Sequence, residues 1–163
     1  MSTVNTVLGP IGESELGAVL SHEHVLVASA GIQQLYPEFI DRAETIDRAV
    51  SQLSEAHSEG LRTIVEVTTI DLGRDIKLLE EVSQRTKINI IASTGTWLDI
   101  PRVFWSATPD MIADLYVREI EVGIENTSIK AGVIKVATDI EGVTPQGEII
   151  LRAAARASIR TGV

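Results

Sequence analysis

Residues 63–69 read TIVEVTT and residues 88–94 read INIIAST, and between them residues 74–85, RDIKLLEEVSQR, set Ile76, Leu79 and Val82 along one helical face. Short runs of Val, Ile and Thr favour strands, and apolar residues at steps of three and four favour a helix. A strand, a helix and a strand in that order make a crossover unit. Its two strands must be parallel, because an antiparallel pair would need only a tight turn.

The same alternation extends to both sides. Upstream, residues 19–27, VLSHEHVLV, form a candidate strand, and Thr45 is a plausible N-cap for IDRAVSQLSEAHSEG, a helix stopped by Gly60. Downstream, residues 110–124 place Ile112, Leu115, Tyr116 and Ile120 on one face, residues 132–138, GVIKVAT, form a strand, and residues 145–161 carry Ile149, Ala153 and Ala157 ahead of Gly162. A short extended arm at residues 3–12, a candidate hairpin, precedes these four strand–helix units. The fold class is therefore α/β, with either an open doubly wound sheet or a (β/α)8 barrel in view. The first strand is not followed by a glycine-rich phosphate turn, which argues for the barrel.

A complete barrel needs eight units and typically ~250 residues. The four units here form its N-terminal half, a single partial domain over residues 1–163, and the ending RTGV reads as a truncation just before a fifth strand.

Composition narrows the function. The chain has 163 residues, 44% of them hydrophobic, so it can bury a core. A net charge of −9 sets aside nucleic acid and anionic membrane as partners, since both recruit clustered Lys and Arg. With no cysteine, disulfides, thiolate nucleophiles and Cys-ligated zinc are excluded. No apolar run reaches the roughly 18 residues of a spanning helix, and the N-terminus lacks a signal-peptide pattern. The chain reads as cytoplasmic, unless an export signal has been removed.

Two features carry chemistry. His22 and His24 lie one residue apart on a candidate strand, so their imidazoles share a face while Glu23 takes the other. Two imidazoles at the C-terminal end of a barrel strand suit one divalent cation, although such a pair also arises by chance. Lys135 lies inside the apolar run AGVIKVATD, where desolvation penalises a free ammonium. Three readings stand for it: a partner for a carboxylate such as Glu66, expected on the barrel-facing side of its strand; a Schiff-base amine, which borohydride would trap; or a lysine carbamylated by CO2, which then acts as an anionic metal bridge.

The strings NTVLGPIGESELGAVLSHEHV, SAG before YPEF, GLRTIVEVTTIDLGRDI, ASTGTW, VREIEVGIENTSIKAGVIKVAT and LRAAARASIRTGV, taken together and in this order, resemble the N-terminal half of the phosphotriesterase family of the amidohydrolase superfamily. The resemblance implies a metal-dependent hydrolase on a (β/α)8 barrel. His22 and His24 would ligate the more buried ion of a binuclear centre, usually zinc, with manganese, cobalt or iron as variants. Lys135 would be the carbamylated bridge, and a metal-bridging hydroxide would attack the phosphorus of an organophosphate triester or the carbonyl of a lactone. The resemblance also places Trp97 in the substrate pocket and Leu72 in the wall around the leaving group. The family's remaining ligands follow the fifth, sixth and eighth strands, which this chain lacks.

Other residues read blandly. His57 sits near a helix end as a surface residue, Arg74 and Asp75 form a loop ion pair, and Gly31, Gly73 and Gly95 mark turns after strands. The loop TDIEGVTPQ, with Asp139 and Glu141, is one residue longer and more acidic than in the organophosphate hydrolases, and so leaves the lactonase branch open. An isolated half-barrel offers two unpaired sheet edges. It is accordingly expected to self-associate as a homo-oligomer, a dimer in the first instance, and a weakly metal-binding fragment without activity is the competing reading.

Overall fold

The computed structural model describes residues 2–98 and 100–163. Four parallel strands, β3 (Ala18–Glu23), β4 (Leu61–Glu66), β5 (Asn89–Thr96) and β6 (Val133–Val136), form one sheet in sequence order. Long helices follow each strand: α2 (Arg42–Ser58), α3 (Ile76–Thr86), α4 (Pro109–Glu121) and α5 (Pro145–Thr161). A single turn, α1 (Ile32–Leu35), lies in the loop before α2. The arm is an antiparallel hairpin of β1 (Thr3–Thr6) and β2 (Gly9–Gly12), as expected. This is half of a (β/α)8 barrel. Among the described residues no helix is long and apolar enough to cross a membrane.

Packing on the helix-facing side explains the order. The register pairs Ile64 with Ile90 and Glu66 with Ala92, and Ile64, Ile90 and Ala92 share a buried cluster with Ile76, Leu79 and Val82 of α3 and Ile120 of α4. A second cluster joins Ile112, Ala113 and Tyr116 of α4 to Ile150, Ala153 and Ala157 of α5, with Ile134 and Val136 beneath. Each fully buried aliphatic side chain contributes roughly 1.5–3 kcal/mol. By alternation Val65, Ile91, Ser93, Gly95 and Lys135 take the opposite, inner face. The hairpin docks at the N-terminal ends of the central strands, through Val7 N–H donating to the Ile90 carbonyl (2.8 Å) and the Asn5 amide donating to that of Ala131 (3.2 Å).

Several boundaries differ from expectation. The first strand ends at Glu23 rather than at residue 27, and the fourth spans only Val133–Val136. Asp41, not Thr45, caps α2: its carboxylate accepts from Glu44 N–H at 3.0 Å. Thr45 lies in the first turn, buried, with its hydroxyl donating to the Asp41 carbonyl at 2.8 Å. Both residue types suit a cap, and a threonine inside the helix can bond back to the carbonyl four residues earlier.

Arg74 and Asp75 are structural, as read, but they do not pair with each other. Asp75 caps α3 by accepting from Leu78 N–H at 2.9 Å. Arg74, its side chain 0% exposed, donates to both oxygens of Glu119 on α4 (2.6 and 2.9 Å), to Glu125 beyond it (3.1 Å) and to the Ser93 carbonyl (2.8 Å). Burial alone would depress the Arg74 pKa, but the two carboxylates outweigh it and raise it. A fork with all these acceptors in place ties the β4–α3 loop to β5 and α4.

Removing this guanidinium leaves Glu119 without its partner, and breaking a buried pair from one side costs about 3–5 kcal/mol. Arg74→Ala is therefore expected to lose about that much stability in denaturant unfolding, and a loss below about 1 kcal/mol would show the network to be dispensable.

Candidate metal and active site

The imidazole pair depends on an irregularity. Val19 pairs with Thr63 and Leu20 with Ile64, but Glu23, not Ser21 or His22, is the next partner, opposite Glu66. One extra residue therefore lies on β3 between Leu20 and Glu23, a β-bulge. Leu20 and Glu23 both align with helix-facing residues of β4, so His22 and His24, either side of Glu23, turn to the inner face. Their ring centroids are 5.4 Å apart and edge-on. With metal–nitrogen bonds of about 2.0–2.1 Å, two rings at this separation can reach one ion.

His24 is held from behind. Its Nδ1 lies 2.8 Å from Thr68 Oγ1, and Thr68 Oγ1 in turn donates to Glu66 Oε1. Partial burial, then the charges of Lys135 and His22, hold the His24 pKa below its ordinary value against a smaller opposing effect of Glu23. A neutral ring near pH 7 is the form that binds a cation. Lys135, paired with Gly95 on β5, belongs by alternation to the same inner face.

Glu66 is not the carboxylate partner of Lys135. It faces the helices, fully buried, and accepts from Val25 N–H (3.2 Å) and Thr68 N–H (3.1 Å) as well as from the Thr68 hydroxyl. Glu66 shares the face of Ile64, two residues earlier on β4 and packed in the helix-side core, and this corrects the barrel-facing side expected for it. Burial pushes its pKa up, against the hydrogen bonds from Thr68 and Val25 that favour the carboxylate.

Gly95 is not a turn after a strand. It lies inside β5, paired with Lys135, at φ +114°, and a Cβ there would fall 1.9 Å from the Lys135 carbonyl oxygen. Only glycine allows the two backbones so close at this conformation.

The two pocket candidates are linked through Asp71. Leu72 is buried (8% exposed), and Ala28 N–H donates to its carbonyl at 2.9 Å. The neighbouring Asp71 carboxylate, also buried, accepts from Thr69 Oγ1 (2.5 Å), and Trp97 N–H donates to both its oxygens (3.0 and 3.1 Å). Half-buried Trp97 lines a cleft of about 290 Å³ with Ile100, Thr138, Asp139 and Glu141. At the end of β5, Thr96 Oγ1 and Tyr116 Oη share a 2.8 Å hydrogen bond, with the Tyr116 pKa pushed up to about 12 by burial.

His57 is half-buried in the last turn of α2, which leads into the start of β4, and so lies at the end of the sheet opposite to the imidazole pair. Among the described residues no group of three His, Asp or Glu side chains comes together as a metal site. The donors that this chain brings to one wall are two imidazoles and the Lys135 amine, and the imidazoles suit zinc and related divalent ions. Sequence reasoning missed Thr68 and Asp71. Both are short polar residues directly after a barrel strand, the position from which such residues reach a site.

The sequence profile of the phosphotriesterase family matches residues 2–163, and this chain belongs to that family. It is 41% identical to a phosphotriesterase homology protein of Mycobacterium tuberculosis, over 99% of this chain and 53% of that one. It is 39% identical to an aryldialkylphosphatase of Saccharolobus solfataricus, over 94% of this chain and 49% of that protein. It is 27% identical to an N-acetyltaurine hydrolase of Xenopus tropicalis, over 98% of this chain and 54% of the other. The chain thus spans about half the length of the curated relatives it matches.

Gly95→Ala is expected to force β5 and β6 apart at Lys135. Strain from the backbone conformation alone costs of order 1–3 kcal/mol. Denaturant unfolding should register at least that loss, and unchanged stability would mean that the strands can separate freely at this point.

Proposed function

We propose that this chain provides one wall of the centre of a metal-dependent hydrolase, in which His22 and His24 hold one divalent ion, zinc in the first instance, and Lys135 bridges to a second. The observation that carries this is the meeting of two inner-facing imidazoles at 5.4 Å, on the sheet face that Lys135 also takes. The remaining ligands would come from the second half of a family-length barrel.

Bound ions supply a nucleophile at neutral pH and Lewis-acid polarisation of the substrate oxygen. The chain's own residues prepare for this. The neutral Lys135 amine attacks the carbon of CO2, forms an N–C bond and releases one proton to water, leaving an anionic carbamate. Gly95 lets the Lys135 backbone sit tight against β5. Trp97 offers an aromatic wall to an ester's leaving group, and the Asp71 carboxylate fixes the Trp97 backbone. The relatives' names span an aryldialkylphosphatase and an N-acetyltaurine hydrolase. Hydrolysis at a phosphoryl or carbonyl centre is the chemistry proposed here, with an organophosphate triester or a lactone as substrate.

A second reading, an inactive half-barrel that self-associates, draws on the sheet's edges. Among the described residues β3 and β6 are both unpaired on one side, an apolar groove of about 530 Å³ runs beside β6 and α5, and Leu35, Phe39 and Val103 are more than 70% exposed. For the hydrolase, whose closed barrel would pair both edges, the exposed Leu35, Phe39 and Val103 are what support a homo-oligomer.

Two measurements test these readings. In the family-length protein Lys135→Ala should lose tightly held metal and hydrolysis of aryl dialkyl phosphates or lactones, with partial rescue by a short carboxylic acid. Wild-type metal content in that variant would refute the bridge. The isolated 163-residue chain should elute above monomer size at micromolar concentration, and a cooperatively unfolding monomer would sink the self-association reading.

A further inference from the structure

Behind His24 stands a short chain of hydrogen bonds whose direction can be worked out atom by atom. Thr68 Oγ1 is in contact with three groups: Glu66 Oε1, the Leu26 carbonyl at 3.3 Å and His24 Nδ1 at 2.8 Å. A hydroxyl has one proton to give. The Leu26 carbonyl can only accept. As a carboxylate, the form favoured by the backbone N–H groups that Oε1 receives from Val25 and Oε2 from Thr68, Glu66 has no proton to give and accepts too. Whichever of the two takes the hydroxyl proton, Thr68 is left with lone pairs facing His24. The bond at Nδ1 then forms only if His24 donates.

We propose that Glu66 and Thr68 are positioning residues that lock His24 as its Nδ1–H tautomer and so present the Nε2 lone pair to a metal ion. This rests on the metal-centre reading above and deepens it, because neither residue touches the ion or the substrate. The relay crosses the sheet: Glu66 belongs to the helix-facing layer, His24 to the inner face, and Thr68, two residues beyond Glu66, passes between them at the strand end. Glu66 is buried because it anchors both the Val25 backbone, next to His24, and the Thr68 hydroxyl. Orientation of a ligating imidazole through its other nitrogen typically changes metal affinity 10–100-fold.

The test uses the protein labelled with 15N in its histidines and free of metal, followed by titration with zinc alone. Long-range proton–nitrogen correlations should show His24 as a single Nδ1–H tautomer in the metal-free wild type. Thr68→Val, which removes the hydroxyl at nearly constant shape, should give a tautomer mixture and weaken zinc binding about 10–100-fold in competition with a chromophoric chelator. Thr68→Ser should restore both. Loss of fold would not restore with serine and then vanish with valine in this pattern, and the wild-type tautomer is read without any variant. An Nε2–H wild-type ring, or a Thr68→Val protein with unchanged tautomer and zinc affinity, would overturn the relay. Zinc that leaves the His22 and His24 ring signals unmoved would instead count against the metal reading, which the metal-free tautomer does not depend on.

Discussion

A strand that gains one residue against its neighbour turns every later side chain over, and in β3 that gain falls between Leu20 and Glu23. Without it, regular alternation from Leu20 would send His22 and His24 toward α2 and leave Glu23 on the inner face. With it, Glu23 joins Glu66 on the helix side and the imidazoles meet on the inner wall. The bond from His24 to Thr68 and the influence of Lys135 on His24 follow from this placement. The bulge also sits where its cost is small, at the end of an edge strand whose side chains are largely exposed.

From that point the wall is organised by one segment, residues 66–76. Glu66 reaches the backbone of Val25, Asp71 takes the backbone N–H of Trp97, Arg74 spans to Ser93, Glu119 and Glu125, and Asp75 starts α3. Each of these charged groups is buried or nearly so, and each is satisfied by several partners. Burying them singly would be costly, whereas a fully bonded set gives a loop a defined shape. The result is that the loops after β3, β4 and β5 are fixed to each other rather than hanging free at the end of the sheet. Trp97, which lines the cleft, is thus positioned from the preceding βα loop rather than from its own.

The periodicity of the sequence was enough for the strand order, the parallel sheet, the hairpin and the four long helices, because each element has to bury an apolar stripe of the right period. The site was less legible for specific reasons. The bulge leaves no trace in composition, so alternation along residues 19–27 puts His22 and His24 on one face without saying which, and the barrel-facing side expected for Glu66 gives way to the helix side that it shares with Ile64. Thr45 and Asp41 are both good caps four residues apart, and only the hydrogen bond to Glu44 separates them. Gly95 was visible as a glycine inside a β-branched run, a pattern that signals close backbone approach as well as a turn. Its partner, Lys135, lies 40 residues away and is known only from the register. Arg74 was correctly structural, but its partners come from α4 and the loop after it, distances that local pattern cannot bridge.

The donor set itself contains an electrostatic argument about how a metal would be held. Two imidazoles and an amine carry no negative charge, and His24 is depressed in pKa partly because the other two would repel its proton. A protonated Lys135 would repel an incoming dication in the same way, while neutral nitrogen ligands alone offset that poorly in a partly desolvated wall. Glu66, the buried carboxylate behind His24, is turned away and occupied by Val25 and Thr68. On the proposed reading, converting Lys135 from a cation to a carbamate changes the charge at that position by two units, from repelling the ion to binding it. The tight β5–β6 approach at Gly95 then acquires a role, since a bridging group three strands from the imidazoles is useful only if its backbone cannot drift.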